Sequence, residues 1–190
     1  SPVATGNPDI KPEIAKTTEL AFFYQVNTEL LMGLNIYHIE NDNLVIVNDD
    51  NLYVNIGASE RVGAAFEFKW QPNRAITLTG NIDGSTVKGE LFNHGESFET
   101  AKLANLSGDW KTSESWRVNL QSNWIGQQSR ESGDNRKAIR AYAIFDVATH
   151  YTGIQNWGFS LRVKNMFDNG GREAENINIP NDLPLPGRSV

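Results

Sequence analysis

The chain has 190 residues, 39% hydrophobic and 21% charged, with a formal charge of −6. It has no basic excess to meet a nucleic acid, no cysteine for disulfides, zinc-thiolate sites or thiol catalysis, and no apolar stretch near the ~20 residues of a membrane helix. A membrane β-barrel stays open, because a polar lumen face lowers the average hydropathy.

The opening SPVATGNPDIKPE lacks a basic-then-apolar leader pattern. The expectation is that a leader has been removed or that the chain is internal to a longer protein. Beyond it no long segment has helical periodicity, and period-two runs recur. Thr18, Leu20, Phe22 and Tyr24 alternate with Glu19, Ala21, Phe23 and Gln25. Leu30, Met32, Leu34 and Ile36 alternate with Leu31, Gly33, Asn35 and Tyr37. In the third run Val62, Ala64, Phe66, Phe68 and Trp70 oppose Arg61, Gly63, Ala65, Glu67 and Lys69. The fourth sets Ile76, Leu78 and Ile82 against Thr77, Thr79 and Asn81; the fifth sets Ala104, Leu106 and Trp110 against Asn105, Ser107 and Asp109. The sixth, SWRVNLQSNW, puts Trp116, Val118, Leu120 and Trp124 opposite Arg117, Asn119, Gln121 and Asn123. The seventh covers 139–147, with Ile139, Ala143, Phe145 and Val147 against Arg140, Tyr142 and Asp146. The eighth sets Trp157, Phe159, Leu161 and Val163 against Gly158, Ser160, Arg162 and Lys164. Most runs approach the 9–11 residues of a tilted membrane strand, whereas soluble strands are nearer 5–6.

The connections alternate in length. Short links fall at Val26–Thr28, Gln71–Asn73, Thr112–Glu114 and Thr152–Gln155; long polar ones fall at Glu40–Ile56, Asp83–Glu99, Gly126–Arg136 and Asp168–Arg188. An antiparallel meander then carries all its short turns at one end. Outer-membrane barrels have this asymmetry.

Alternation does not say which face is inside. In a soluble barrel the apolar face is the core; in a membrane barrel it meets lipid. All five tryptophans, Trp70, Trp110, Trp116, Trp124 and Trp157, fall on the apolar phase and near strand ends. Membrane interfaces favour that placement, because the indole ring is amphipathic. Trp116 and Trp124 span roughly 26 Å of strand, or about 20 Å along the normal after tilt, comparable to a lipid band. The polar phase carries Glu19, Glu67, Lys69, Arg117, Asp146, Arg162 and Lys164. On a barrel wall these face the lumen or a plug.

GNPDIKPEIAKTTELAFFY (Gly6–Tyr24) resembles the barrel of TonB-dependent outer-membrane receptors. Asn7, Pro8, Lys11, Pro12, Glu13 and Glu19 match that family's Asn-Pro-x-Leu-Lys-Pro-Glu stretch and following strand, with Ile10 in the Leu position. NIYHIENDNLVIV (Asn35–Val47) is similar to a strand entering an extracellular loop. Asn55–Pro72 resembles the Asn-x-Gly then Gly-x-Glu strand, although Ala64, Ala65 and Phe66 separate Gly63 from Glu67. LRVKNMFD (Leu161–Asp168) has Met166 for Leu, and PLPGRSV (Pro184–Val190) resembles the approach to the last strand.

The resemblance implies an all-β, antiparallel, up-and-down transmembrane segment of about eight strands over 1–190, roughly strands 14 to 21 of a 22-stranded barrel. The plug domain, the TonB-contacting box and the aromatic-ended last strand are not in it. The implied partners are the bilayer of the bacterial outer membrane, a plug, TonB and a scarce ligand such as a ferric siderophore or cobalamin. A complete eight-stranded outer-membrane barrel (pore or lipid-modifying enzyme) and a soluble lipocalin-like barrel remain alternatives.

No enzyme is expected. His38, His94 and His150 form no metal-spaced pair, and no nucleophile elbow or phosphate-cradling loop occurs. No cofactor is implied. Asp49 and Asp50 read as solvated loop residues, and Asn105–Ser107 as a chance glycosylation triplet. Tyr37, Tyr53, Phe92, His94 and Arg130 are candidate outer ligand contacts by their position alone.

Overall fold

The computed structural model describes residues 5–48, 50–89, 97–130, 134–175 and 180–190, without the side chains of 97–100. Eight long strands form one open antiparallel sheet: β1 (Ile14–Gln25), β2 (Leu30–Asp42), β5 (Ser59–Asn73), β6 (Ile76–Gly89), β7 (Ser97–Lys111), β8 (Trp116–Ile125), β9 (Tyr142–Ile154) and β10 (Trp157–Val163), paired in that order. All eight alternating runs are strands. Two short pairs lie outside the sheet: β3 (Leu44–Val47) with β4 (Tyr53–Ile56), and β11 (Arg172–Glu173) with β12 (Leu183–Pro184).

Asn and Ser side chains close three of the four short turns. Asn27 Oδ1 accepts the N–H groups of Glu29 and Leu30, and Asn73 Oδ1 those of Ala75 and Ile76. Ser113 Oγ accepts from Ser115 and Trp116. Such local side-chain acceptors reverse the chain where a ladder would otherwise continue. The fourth turn places Asn156 at φ 64°, a left-handed conformation that Asn tolerates. All four turns lie at one end, as expected from the connection lengths.

Several boundaries differ from the sequence reading. β5 runs through Gln71 and Pro72 at a register shift between Trp70 and Asn73. A bulge is where a strand admits proline, so the turn comes after QPN, not on it. β9 likewise continues to Ile154. Strand β6 extends to Gly89 and β7 starts at Ser97, so much of the expected Asp83–Glu99 loop is ladder. The stretch expected to be a long loop after β2 contains the β3–β4 hairpin, and β9 begins at Tyr142, not Ile139.

Register fixes the faces. Leu34, Phe66, Ile82, Ala104, Trp124 and Ala143 form one row across six strands of the apolar face, and Gly33, Glu67, Asn81, Asn105, Asn123 and Ile144 the corresponding row on the other. β1 and β10 do not pair. The closed eight-stranded barrel and the lipocalin-like barrel are therefore not formed, because both require that seam. Among the described residues the buried hydrophobic side chains are Val87, Tyr142 and Ala148 alone, each still 5–8% exposed. This is a wall one layer thick.

Candidate functional site

The apolar face carries an ordered band. Trp70, Trp110, Trp116 and Trp157 lie toward the short-turn end and Trp124 toward the other, each 37–65% exposed. Trp116 packs on Tyr151 with ring centroids 4.7 Å apart, and Trp157 stacks on Phe159 at 6.1 Å. Toward the long-connection end the same face turns charged, in the row Lys16, Glu40, Glu60, Lys88. His38 Nε2 lies 2.9 Å from Glu60 there. Ten residues separate Trp70 from Glu60 on β5. At ~3.3 Å per residue and a tilt of about 40° that is about 25 Å, the height of a lipid band.

The opposite face is polar and sculpted. The Tyr37 ring lies over Gly63, where a Cβ would come within 2.4 Å of Cζ and the hydroxyl oxygen. Its hydroxyl donates to Asp83 at 3.1 Å. Glu67 crosses Gly33 in the same way. Asn105 Nδ2 donates to Asn81 Oδ1 at 3.2 Å. Near the short-turn end the face sinks into a concavity of about 560 Å³ lined by Lys111, Arg117, His150 and Arg162 together with Asp109 and Glu114. Lys69 and Glu19 stand exposed on this face. Asp146 accepts the Asn165 N–H at 2.9 Å, and Lys164 bridges Ser189. All seven expected polar-phase residues are thus on one side of the wall or at its rim.

At the long-connection end three clasps hold the irregular segments. Asn55 Oδ1 accepts the Lys11 N–H at 2.7 Å, its Nδ2 donates back to the Lys11 carbonyl, and Glu13 accepts the Val45 N–H at 2.6 Å. The KNMFDN turn is sewn to the PGR segment: Asn165 Nδ2 donates to the Asn169 and Pro186 carbonyls, and Asp168 accepts the Arg188 N–H at 2.8 Å. The third clasp is ionic. Arg130 engages Asp182 through both terminal nitrogens. Arg136 binds Asp134 and donates to the Glu175 carbonyl at 2.8 Å. The Arg130 hydrogen bonds, with the Glu175 N–H, hold the Asp182 carboxyl far below the usual carboxylate range. Hydrogen bonds from Arg136 lower the Asp134 carboxyl, and both guanidiniums are raised by the carboxylates they bind.

Of the five candidate outer contacts, Tyr53 lies on β4, 40% exposed. Tyr37 lies on the polar face with its hydroxyl engaged. The Arg130 side chain is 8% exposed inside the ionic clasp. Phe92 and His94 lie outside the described residues. Among the described residues no three His, Asp or Glu side chains gather as a metal site. Sequence reasoning missed Asp134, Arg136, Asp182, Asn55 and Asn165. The left-handed residues Asn43, Asn51, Asn165, Asp168 and Asp182 were the readable signal, since Asn and Asp mark such positions.

Residues 1–166 match the family model for the TonB dependent receptor-like β-barrel. The metal-pseudopaline receptor CntO of Pseudomonas aeruginosa is 23% identical over 78% of this chain, which spans 22% of that receptor. The ferric-catecholate import receptor Fiu of E. coli K12 matches at a TM-score of 0.72, with 21% identity, over 96% of this chain and 27% of that one. The FrpB iron transporter of Neisseria meningitidis matches at 0.73, with 13% identity, over 95% and 30%. These relatives are described as receptors and transporters, and the family match places this wall in the bacterial outer membrane. An open sheet with one lipid-band face, one polar face and all short turns at one end is a piece of their barrel, and the chain belongs to the TonB-dependent receptor β-barrel family.

Proposed function

We propose that this chain is barrel wall in an outer-membrane active transporter that takes up a scarce ligand through TonB, a metal chelate such as a ferric siderophore before cobalamin. The carrying observation is the two-faced open wall matching import-receptor barrels across its length. Relatives described as metal-pseudopaline, ferric-catecholate and iron carriers support the metal-bearing class. The test is uptake of labelled ferric siderophores and cobalamin by cells with and without the full-length gene, and with TonB deleted. Gene-dependent, TonB-dependent uptake is expected. Uptake of none, or uptake that persists without TonB, overturns the proposal.

The polar face meets a plug in the same proposal. Glu19, Glu67, Lys69, Arg117, Asp146, Arg162 and Lys164 supply charge that needs partners once water is displaced. In the full-length receptor, Arg117→Ala is expected to admit more large antibiotic than Val118→Ala, which changes only the lipid face. Equal leakage through both overturns plug docking at Arg117. Tyr53 is the outer contact best supported by exposure. Arg130 acts on ligand only through the loops it fastens, while Tyr37, Phe92 and His94 stand on position alone.

A further inference from the structure

Register shapes the concavity at the short-turn end of the polar face. One row across β7–β10 runs Asp109, Asn119, Ala148, Arg162, and the next, nearer the turns, runs Lys111, Arg117, His150, Ser160. Ala148 makes a small floor between Asn119 and Arg162, and longer side chains stand around it. Lys111 is taken by Glu114 at 2.9 Å, and His150 Nδ1 lies 2.8 Å from Ser160 Oγ. Arg117 and Arg162 have no hydrogen-bond or ion-pair partner among the described residues. Arg117 also faces Lys111 directly across the ladder, where like charges repel. Asp109 is the one lining carboxylate left against these two guanidiniums. The cavity, about 560 Å³, has the size of a small-molecule site. Ser113 and Ser115 of the β7–β8 turn line it, so it opens at the inner, periplasmic mouth.

One strand leads to this cavity. Outward from Arg117, the polar face of β8 presents Asn119, Gln121 and Asn123, about 20 Å of strand without a charge. Asn123 is in register with Asn105, and Asn105 with Asn81. Amides exchange hydrogen bonds with an oxygen-rich solute in place of water, without holding it as a charge would. The strand carboxylates of the outward half of this face, Glu19, Glu67 and Asp83, lie on β1, β5 and β6 against a single guanidinium, Arg61. The face is thus acidic outward on β1–β6, neutral along β8 and basic at the inner mouth. Such a field turns an anion from the first sector toward the last. Guanidinium forks match paired oxygen atoms that carry negative charge.

We propose that the cavity is a transient exit site for an anionic, oxygen-rich metal chelate, which reaches it along the amide row of β8. The inference rests on the metal-chelate reading of the transported ligand. Plug contact at Arg117 leaves Arg162, two strands away, to the chelate, and the site is weak enough to release it. The full-length receptor is purified in mild detergent with a fluorescent dye on Gln155→Cys, in the β9–β10 turn beside the cavity but outside its lining. The probes are a ferric tris-catecholate, which is a trianion, and a neutral ferric tris-hydroxamate. Saturable quenching by the trianion and none by the neutral chelate is expected. Arg162→Gln is expected to weaken it about tenfold, the loss of one charge-assisted contact. Arg162→Lys keeps the charge but not the fork and is expected to fall between. Asp109→Asn removes the opposing carboxylate and is expected to tighten binding. Equal quenching in Arg162→Gln and wild type, equal quenching by the neutral chelate, weaker binding by Asp109→Asn, or no quenching in wild type because the plug fills the cavity overturns the proposal. Failure of the underlying reading shows elsewhere, in cells, as no TonB-dependent uptake of any ferric chelate.

Discussion

Asn165 shows how much one side chain carries in a wall without a core. It is 3% exposed, sits at φ 47°, donates to two carbonyls and accepts the Asn169 N–H at 2.8 Å. Asn165→Ala leaves these groups unpaired, at about 1–3 kcal/mol for each buried one, and adds roughly 1–2 kcal/mol of left-handed strain. Loss of the heat-resistant folded band of the full-length receptor on gels measures it. Asn165→Gly removes the bonds but not the φ preference, so its loss is expected to be smaller; equal behaviour of the two overturns the strain part. Gly63 is the second such point. Gly63→Ala drives the Tyr37 ring off the wall and with it the bond to Asp83. It is therefore expected to destabilise more than Tyr37→Phe, which loses only that bond, about 1 kcal/mol. The same unfolding assay ranks them.

At the scale of elements, the ionic clasp makes two loops one body. Arg130 and Arg136 belong to the β8–β9 connection and Asp182 to the segment after β10. Arg130→Ala is expected to speed proteolysis in both 126–141 and 174–188; acceleration in one alone would show the loops to be independent. The acid response has a definite sign. The folded Asp182 carboxyl is depressed, so its contribution is fully present above the ordinary value of about 3.9 and lost only as pH falls through the folded value. Protease patterns at pH 5 and pH 7 are therefore expected to match. Loosening at pH 5 would mean the clasp does not hold Asp182 as observed. Turns and clasps differ in how they could be read. Asn27, Asn73 and Ser113 act two and three residues ahead, so their turns were legible. The Arg130–Asp182 pair spans 52 residues, and no local pattern encodes which carboxylate will arrive there. The β3–β4 hairpin was hidden because its polar flanks read as loop.

On the scale of the whole molecule, what matters is which face meets lipid and what closes the edges. Leu120 lies mid-strand on the lipid face, 54% exposed. Leu120→Arg is expected to impair insertion of the full-length receptor by ~2–4 kcal/mol if near the midplane, whereas Asn119→Arg on the lumen face is tolerated. Membrane fractionation of the two variants decides, and the reverse pattern would make the apolar face a core. β1 and β10 present unpaired ladders, and an unpaired ladder recruits further strands. The 190 residues alone are expected to associate in water without detergent; a monomer by sedimentation would contradict this.

By itself the sequence determined the eight strands of the wall, the two faces of those strands and the asymmetry of the connections. Side-chain alternation and turn chemistry are local, and a one-residue slip would put every apolar side chain on the wrong face. Only the tertiary structure decided the open seam between β1 and β10, the ring laid over Gly63, and the partners of Arg130, Asn55 and Asn165. These depend on residues brought together from distant parts of the chain, and their geometry is set by the register of a whole wall.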